Sequence, residues 1–164
     1  DLLIQKGKKM RKSSITFEEA LIDMVRLYGE DTDRRSCVEG ERLYYNSDGR
    51  QCAIGRLARP EHEALFRNFD NTDCGAIESV VHEYQKKQRM NGKWISEEEA
   101  LAELTIVSDA TLMDITFLQI LHDEDPNWDK DGLTQFGVQT VRNFRPDLME
   151  KVLSAIQKEE FLHQ

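Results

Sequence analysis

The chain has 164 residues, of which 39% are hydrophobic and 32% charged, with a formal net charge of −9. That length fits one domain with at most a small appendage, and the composition is globular, which excludes a disordered, collagenous or low-complexity chain. No apolar run approaches the ~18 residues that span a bilayer, so an integral membrane protein is excluded as well.

Residues 1–12 carry five cations against Asp1, a local +4. Met10-Arg11-Lys12 has the look of a translation start, and no apolar core with a small-residue cleavage site follows the cations. We expect a basic tail or upstream residues over 1–12, no signal peptide, and a single α-rich domain over 13–164. Thr16-Phe17-Glu18-Glu19 predicts a capping box. Phe17, Ala20, Leu21, Met24, Val25 and Tyr28 then recur at helical spacing, with Gly29 as the stop. Residues 37–58 change character. Arg42-Leu43-Tyr44-Tyr45 is aromatic and extended, Asn46-Ser47-Asp48-Gly49 is a turn, and Gln51-Cys52-Ala53-Ile54-Gly55 follows. This pattern predicts a hairpin, or a strand feeding a short helix that begins near Cys52.

Pro60-Glu61-His62-Glu63 suits a first helical turn, with proline at N1 and acids at the positive end. Asp73 is placed to cap a helix with Ala76, Ile77, Val80, Val81 and Tyr84 on one face, which Asn91-Gly92 ends. Ser96-Glu97-Glu98-Glu99 predicts a second capping box. Residues 110–122, with Leu112, Met113, Ile115, Phe117, Leu118, Ile120 and Leu121, predict a buried central helix ending at His122. A polar loop runs on to Gly132. Thr134 then caps a helix that turns Val138 and Val141 inward, with Leu133 stapled onto Val138. Pro146-Asp147 opens a last helix carrying Met149, Val152, Leu153 and Ile156. The fold class expected is therefore mainly α: a compact multi-helix domain with a small β-hairpin or irregular element near residues 40–55.

Charge is distributed unevenly. Residues 97–131 hold eleven acids against Lys130 alone, a local −10. An acidic total opposes general nucleic-acid binding, which needs Lys and Arg to displace counterions from phosphates. It fits a basic partner, a cation or a solvated face. The three cysteines, Cys37, Cys52 and Cys74, are odd in number and match no zinc ribbon or finger spacing; with no secretion signal they point to a reducing cytoplasm.

The loop Asp123-Glu124-Asp125-Pro126-Asn127-Trp128-Asp129-Lys130-Asp131-Gly132 concentrates the candidate chemistry. Counted from Asn127 it reads Asn-x-Asp-x-Asp-Gly between two helices, the opening of an EF-hand loop, with Asn127, Asp129 and Asp131 as oxygen donors for a divalent cation. Position 12 falls on Val138, which has no carboxylate to close the site. No cofactor is expected on that ground, and the competing reading is an interhelical loop of turn-forming Asp and Asn. Cys52, near a helix start, is a candidate thiolate nucleophile if His122 and Asp123 or Asn127 come beside it; the alternative is a small packing residue. Trp128 is either an exposed interface anchor or a cover for the end of the central helix.

Two resemblances follow from these residues. Leu121-His122-Asp123 resembles the His-Asp pair of HD-domain metal phosphohydrolases, which implies a metal held by His82, His122, Asp123 and Asp147. The continuation Glu124-Asp125-Pro126 departs from the small or glycine-containing one usual there. Tyr45-x-x-x-Gly49-Arg50-x-Cys52-Ala53-Ile54-Gly55-x-Leu57 resembles the central motif of small uncharacterised phage and bacterial domains. Leu118-Gln119-x-Leu121-His122-Asp123, Asn127-Trp128 and Gly132-Leu133-Thr134 are similar to phage-encoded members. That resemblance implies a small accessory protein and transfers no catalytic residues. The function expected is a non-catalytic cytoplasmic interaction protein with a protein partner and no membrane. Its acidic surface would comprise Asp123, Glu124, Asp125, Trp128 and Asp129, and the runners-up are a metal phosphohydrolase, a Cys-His hydrolase and a calcium-binding helix-loop-helix protein.

Overall fold

Capping and apolar periodicity do set the helices. The computed structural model describes residues 14–30, 53–68 and 76–156, with the two-residue strands Ile4–Gln5 (β1), Lys8–Lys9 (β2), Cys37–Val38 (β3) and Glu41–Arg42 (β4). Among these there are eight α-helices: α1 Phe17–Glu30, α2 Ala53–Leu57, α3 Glu63–Arg67, α4 Ala76–Met90, α5 Glu97–Leu104, α6 Leu112–Asp123, α7 Gln135–Phe144 and α8 Met149–Ala155. A third hairpin pairs Trp128–Asp129 (β5) with Gly132–Leu133 (β6). The fold is thus mainly α with small antiparallel hairpins. A small hairpin pairs Cys37 with Arg42 and Val38 with Glu41, upstream of the strands expected around the turn at 46–49, and residues 53–57 form α2, the short helix of the alternative reading. Tyr44, Tyr45, the turn at 46–49, Cys52, Asp73 and Cys74 lie outside the described residues.

The capping boxes form as the sequence implies. Thr16 Oγ1 accepts from the Glu19 amide at 3.1 Å, and the Thr16 amide donates to Glu19 Oε1 at 3.0 Å. The two bonds the Glu19 carboxylate accepts, from the Thr16 amide and from the Thr16 hydroxyl at 3.1 Å, lower its pKa from the ordinary carboxylate value. Ser96 and Glu99 repeat the arrangement at α5, and a box the sequence reading did not predict, Thr111 with Asp114, opens α6. Pro60 opens a single 3₁₀ turn over Pro60–His62, and α3 begins after it. Gly92, left-handed at φ 81°, turns the chain between α4 and α5. The helix α1 continues one residue beyond Gly29, within the ordinary fraying of a helix end.

An extended segment after α5 ties distant parts together. The Ile106 amide donates to the Leu57 carbonyl, and the Arg59 amide donates to the Leu104 carbonyl. Beyond it, the Ile15 amide donates to Ile106 and the Ser108 amide to Ile15. Asp109 then reaches the first turn of α1, accepting from the Phe17 amide at 2.7 Å. One short strap therefore fixes both the end of α2 and the start of α1. The helix α6 packs against α2, α4, α5 and α7, and seven of its twelve residues are buried, the most central position in the fold. Met113 is an exception and faces outward, and Leu112 and Ile120 are half-buried. No helix among the described residues is long and apolar enough to cross a membrane.

Leu118, buried at the centre of α6, carries the core's first test. Leu118→Ala leaves a cavity and is expected to cost about 2–5 kcal/mol of unfolding free energy, read from urea denaturation midpoints.

Candidate functional site

Nearly all the buried polar side chains of the described residues gather at the C-terminal end of α6: Gln119, His122, Asp123 and Asn127. A helix end leaves its last carbonyls without intrahelical donors. Here the Leu121 carbonyl accepts two side-chain donors, Asn127 Nδ2 at 3.1 Å and Trp128 Nε1 at 2.8 Å. Asn127 Oδ1 in turn accepts from Thr140 Oγ1 at 3.2 Å, and the Asn127 carbonyl accepts from the Thr134 amide at 2.8 Å. Thr134 caps α7 and also donates its hydroxyl to the Pro126 carbonyl at 2.6 Å. Asn127 therefore latches the end of α6 to the beginning of α7. The two elements meet so closely at Gly137 that a Cβ there would lie 2.6 Å from the Asn127 carbonyl oxygen and 2.5 Å from Leu133 Cδ1.

His122 and Asp123 lie behind this latch. Their side chains meet at 2.7 Å, Nδ1 to Oδ1, and His122 is only 1% exposed. Tyr28 of α1 sets its ring edge-on to both His122, at 5.2 Å, and Trp128, at 5.9 Å. The Tyr28 ring thus packs against His122, and both side chains of the pair are buried. Burial of a carboxylate is tolerable only when it is well hydrogen-bonded, and the imidazole supplies that bond.

The geometry corrects several expectations. Trp128 is 7% exposed and covers the end of α6, so it is no surface anchor; Asp123 is likewise buried and leaves the acidic surface. Glu124, Asp125 and Asp129 are exposed as expected, and Asp131 joins them. The loop is not an open polar connection but a 3₁₀ turn over Asp125–Asn127 followed by the β5–β6 hairpin. Asn127 is buried with both ends of its amide hydrogen-bonded in the latch, apart from the exposed Asp129 and Asp131 with which it was expected to share a cation. Asp129 Oδ1 accepts from the Asp131 amide at 2.8 Å, closing the hairpin turn in which Gly132 takes φ 107°. The segment bends as a hairpin rather than curling its oxygens around one centre.

The enzyme candidates are likewise not brought together. His82 is exposed on α4 and bonds Glu97 of α5 at 3.1 Å. Asp147 is exposed and held by both ends of the Arg145 guanidinium, at 3.0 and 2.9 Å, which keeps its carboxyl below the ordinary range. Among the described residues no group of three His, Cys, Asp or Glu side chains is placed to hold a metal ion. Cys52 is outside the described residues. A dent between α1 and α2, lined by Met24, Tyr28, Leu57 and Leu118, holds about 10 Å³, room for one water molecule.

Sequence reasoning passed over the exposed end of the α4–α5 hairpin, where Trp94 and Met90 stand in solvent. The signal was legible in Lys86-Lys87-Gln88-Arg89-Met90-Asn91-Gly92-Lys93-Trp94, where cations surround a turn next to two large apolar residues. Comparison of the chain with protein families, curated proteins and solved structures finds no match.

Two outcomes test this picture of the loop. Asn127→Ala removes the latch and is expected to cost about 2–3 kcal/mol in chemical denaturation, whereas the exposed change Asp131→Ala stays within about 0.5 kcal/mol. Millimolar Ca²⁺ is expected to leave the melting temperature unchanged; a rise of several degrees that Asp129→Ala abolishes would restore a cation site by mass action.

Proposed function

We propose that this chain is a non-catalytic interaction protein of the cytoplasm, of the phage accessory type, that meets a basic protein partner through the tip after α6. The observation that carries the reading is the division of labour in one ten-residue stretch. Asp123, Asn127 and Trp128 turn inward and hold the tip, while Glu124, Asp125, Asp129 and Asp131 are left exposed on it. A surface held this firmly loses little conformational freedom on binding, so its charges count more fully toward affinity and on-rate. The sealed His122–Asp123 pair fits the same reading, because its burial serves the scaffold that presents the acids.

Charge reversal tests it. With Glu124→Lys, Asp125→Lys and Asp131→Lys combined, capture of basic partners in low salt is expected to fall at least about tenfold, with the melting temperature unchanged. Asp129 is spared because its carboxylate closes the hairpin turn. Undiminished capture by the triple variant overturns the surface, and phosphohydrolase or thiol-hydrolase turnover that His122→Ala removes overturns the non-catalytic assignment.

A further inference from the structure

The end of the α4–α5 hairpin combines two features that seldom coexist on an idle surface. Trp94 is 81% exposed and Met90 77%. Around them stand Lys86, Lys87, Arg89 and Lys93, all exposed, with no acid between Lys86 and Trp94. The Arg89 guanidinium lies 5.6 Å from the Trp94 ring, and Lys93 alone of the four cations reaches an acid among the described residues, Glu103 at 3.9 Å. Gly92 turns the hairpin in open space, with nothing near its Cβ direction. Two large apolar side chains exposed four residues apart at one turn are the kind of feature an interaction site uses, and the neighbouring cations call for an anionic occupant.

The character of that occupant is narrowed by what lies next to the tip. Glu97, Glu98 and Glu99 begin α5 directly beyond Trp94, and the whole chain carries −9. Both oppose a uniform polyanion such as nucleic acid or an anionic bilayer. A small protein surface that mixes a few acids with an apolar side chain fits better. The chain itself displays one: Glu124, Asp125, Asp129 and Asp131, with Phe136 61% exposed in the first turn of α7. Thr134, which caps that turn, is bonded to Pro126 in the acidic tip, so the phenyl ring and the acids belong to the same end of the molecule.

We propose that a second copy of this chain docks its acidic, Phe136-bearing tip onto the basic Trp94 tip, head to tail. This rests on the reading of the acidic tip as an interaction surface and names its partner. The two surfaces differ, so the contact is heterologous, and repetition extends it into a row or closes it into a ring. A patch of this size binds weakly and depends on salt.

Sedimentation velocity and light scattering on the full chain test it, between about 10 μM and 1 mM protein and at about 50 and 500 mM salt. The mass-average is expected to rise with concentration in low salt and return to the monomer in high salt. One variant, Lys86→Gln with Lys87→Gln and Trp94→Ala, removes the basic tip. Another, Glu124→Gln with Asp125→Asn and Phe136→Ala, removes the acidic one. Each should remain monomeric with an unchanged melting temperature, while their equimolar mixture forms a 1:1 complex and stops there. A wild type that is monomeric throughout, assembly that survives in either variant, or a mixture that does not associate overturns the proposal. So does a monomer whose Trp94 tip instead binds a single-stranded oligonucleotide or phosphatidylserine vesicles. If self-association is absent but a foreign basic partner is still captured through Glu124 and Asp125, the head-to-tail contact fails and the acidic surface stands; if both are absent, both fail.

Discussion

The Leu121 carbonyl is the point on which the candidate site depends. It is one of the acceptors that every α-helix leaves over at its C-terminal end, and here water or a glycine cap does not take it. An amide and an indole from the following turn do, at 3.1 and 2.8 Å. Because both donors come from consecutive residues, the chain must turn back at once, and the turn carries Trp128 across the end of α6. From that follow the burial of His122 and Asp123, the edge-on contact with Tyr28, and the close meeting of Asn127 with Gly137. One saturated acceptor thus determines which side chains of the loop face inward and which are left to solvent.

A buried His-Asp pair is often taken as a mark of catalysis, because enzymes use a carboxylate to orient an imidazole. The same bond has a purely conformational use. Adjacent residues at the end of a helix can hydrogen-bond one another with no third element, and an aromatic ring can then pack against them. What separates the two uses is access. His122 here is almost wholly enclosed with the Tyr28 ring set edge-on to it, whereas His82, which solvent does reach, is paired with Glu97 across two helices.

Local rules were legible in the sequence wherever a short-range interaction decides the outcome. The boxes at Thr16 and Ser96, the N-cap at Thr134, the break at Gly92 and the apolar centre of α6 depend on residues within one helical turn of each other. Features that depend on distant partners were not legible. The Asp109 carboxylate serves the first turn of α1 from 92 residues away, and the strap from Thr105 to Ser108 joins Leu57 to Ile15. Trp128 illustrates the limit. Its place among acids was compatible with an exposed anchor, and only the unfilled carbonyl of Leu121 decides that it turns inward. Glycine at 137 carries the same lesson, since nothing in Gln135-Phe136-Gly137-Val138 announces that Asn127 would press against it.

The two tryptophans, one sealed behind the latch and the other standing in water, have a further consequence for how this molecule reports on itself. An indole enclosed by rings and bonded to a carbonyl emits at shorter wavelength than one surrounded by solvent. The native fluorescence is therefore the sum of a blue component from Trp128 and a red one from Trp94. Opening of the turn after α6 alone displaces the first and leaves the second in place, whereas covering of the α4–α5 tip displaces only the second. The chain carries, with no label attached, separate optical reporters on an enclosed polar corner and on an exposed apolar tip.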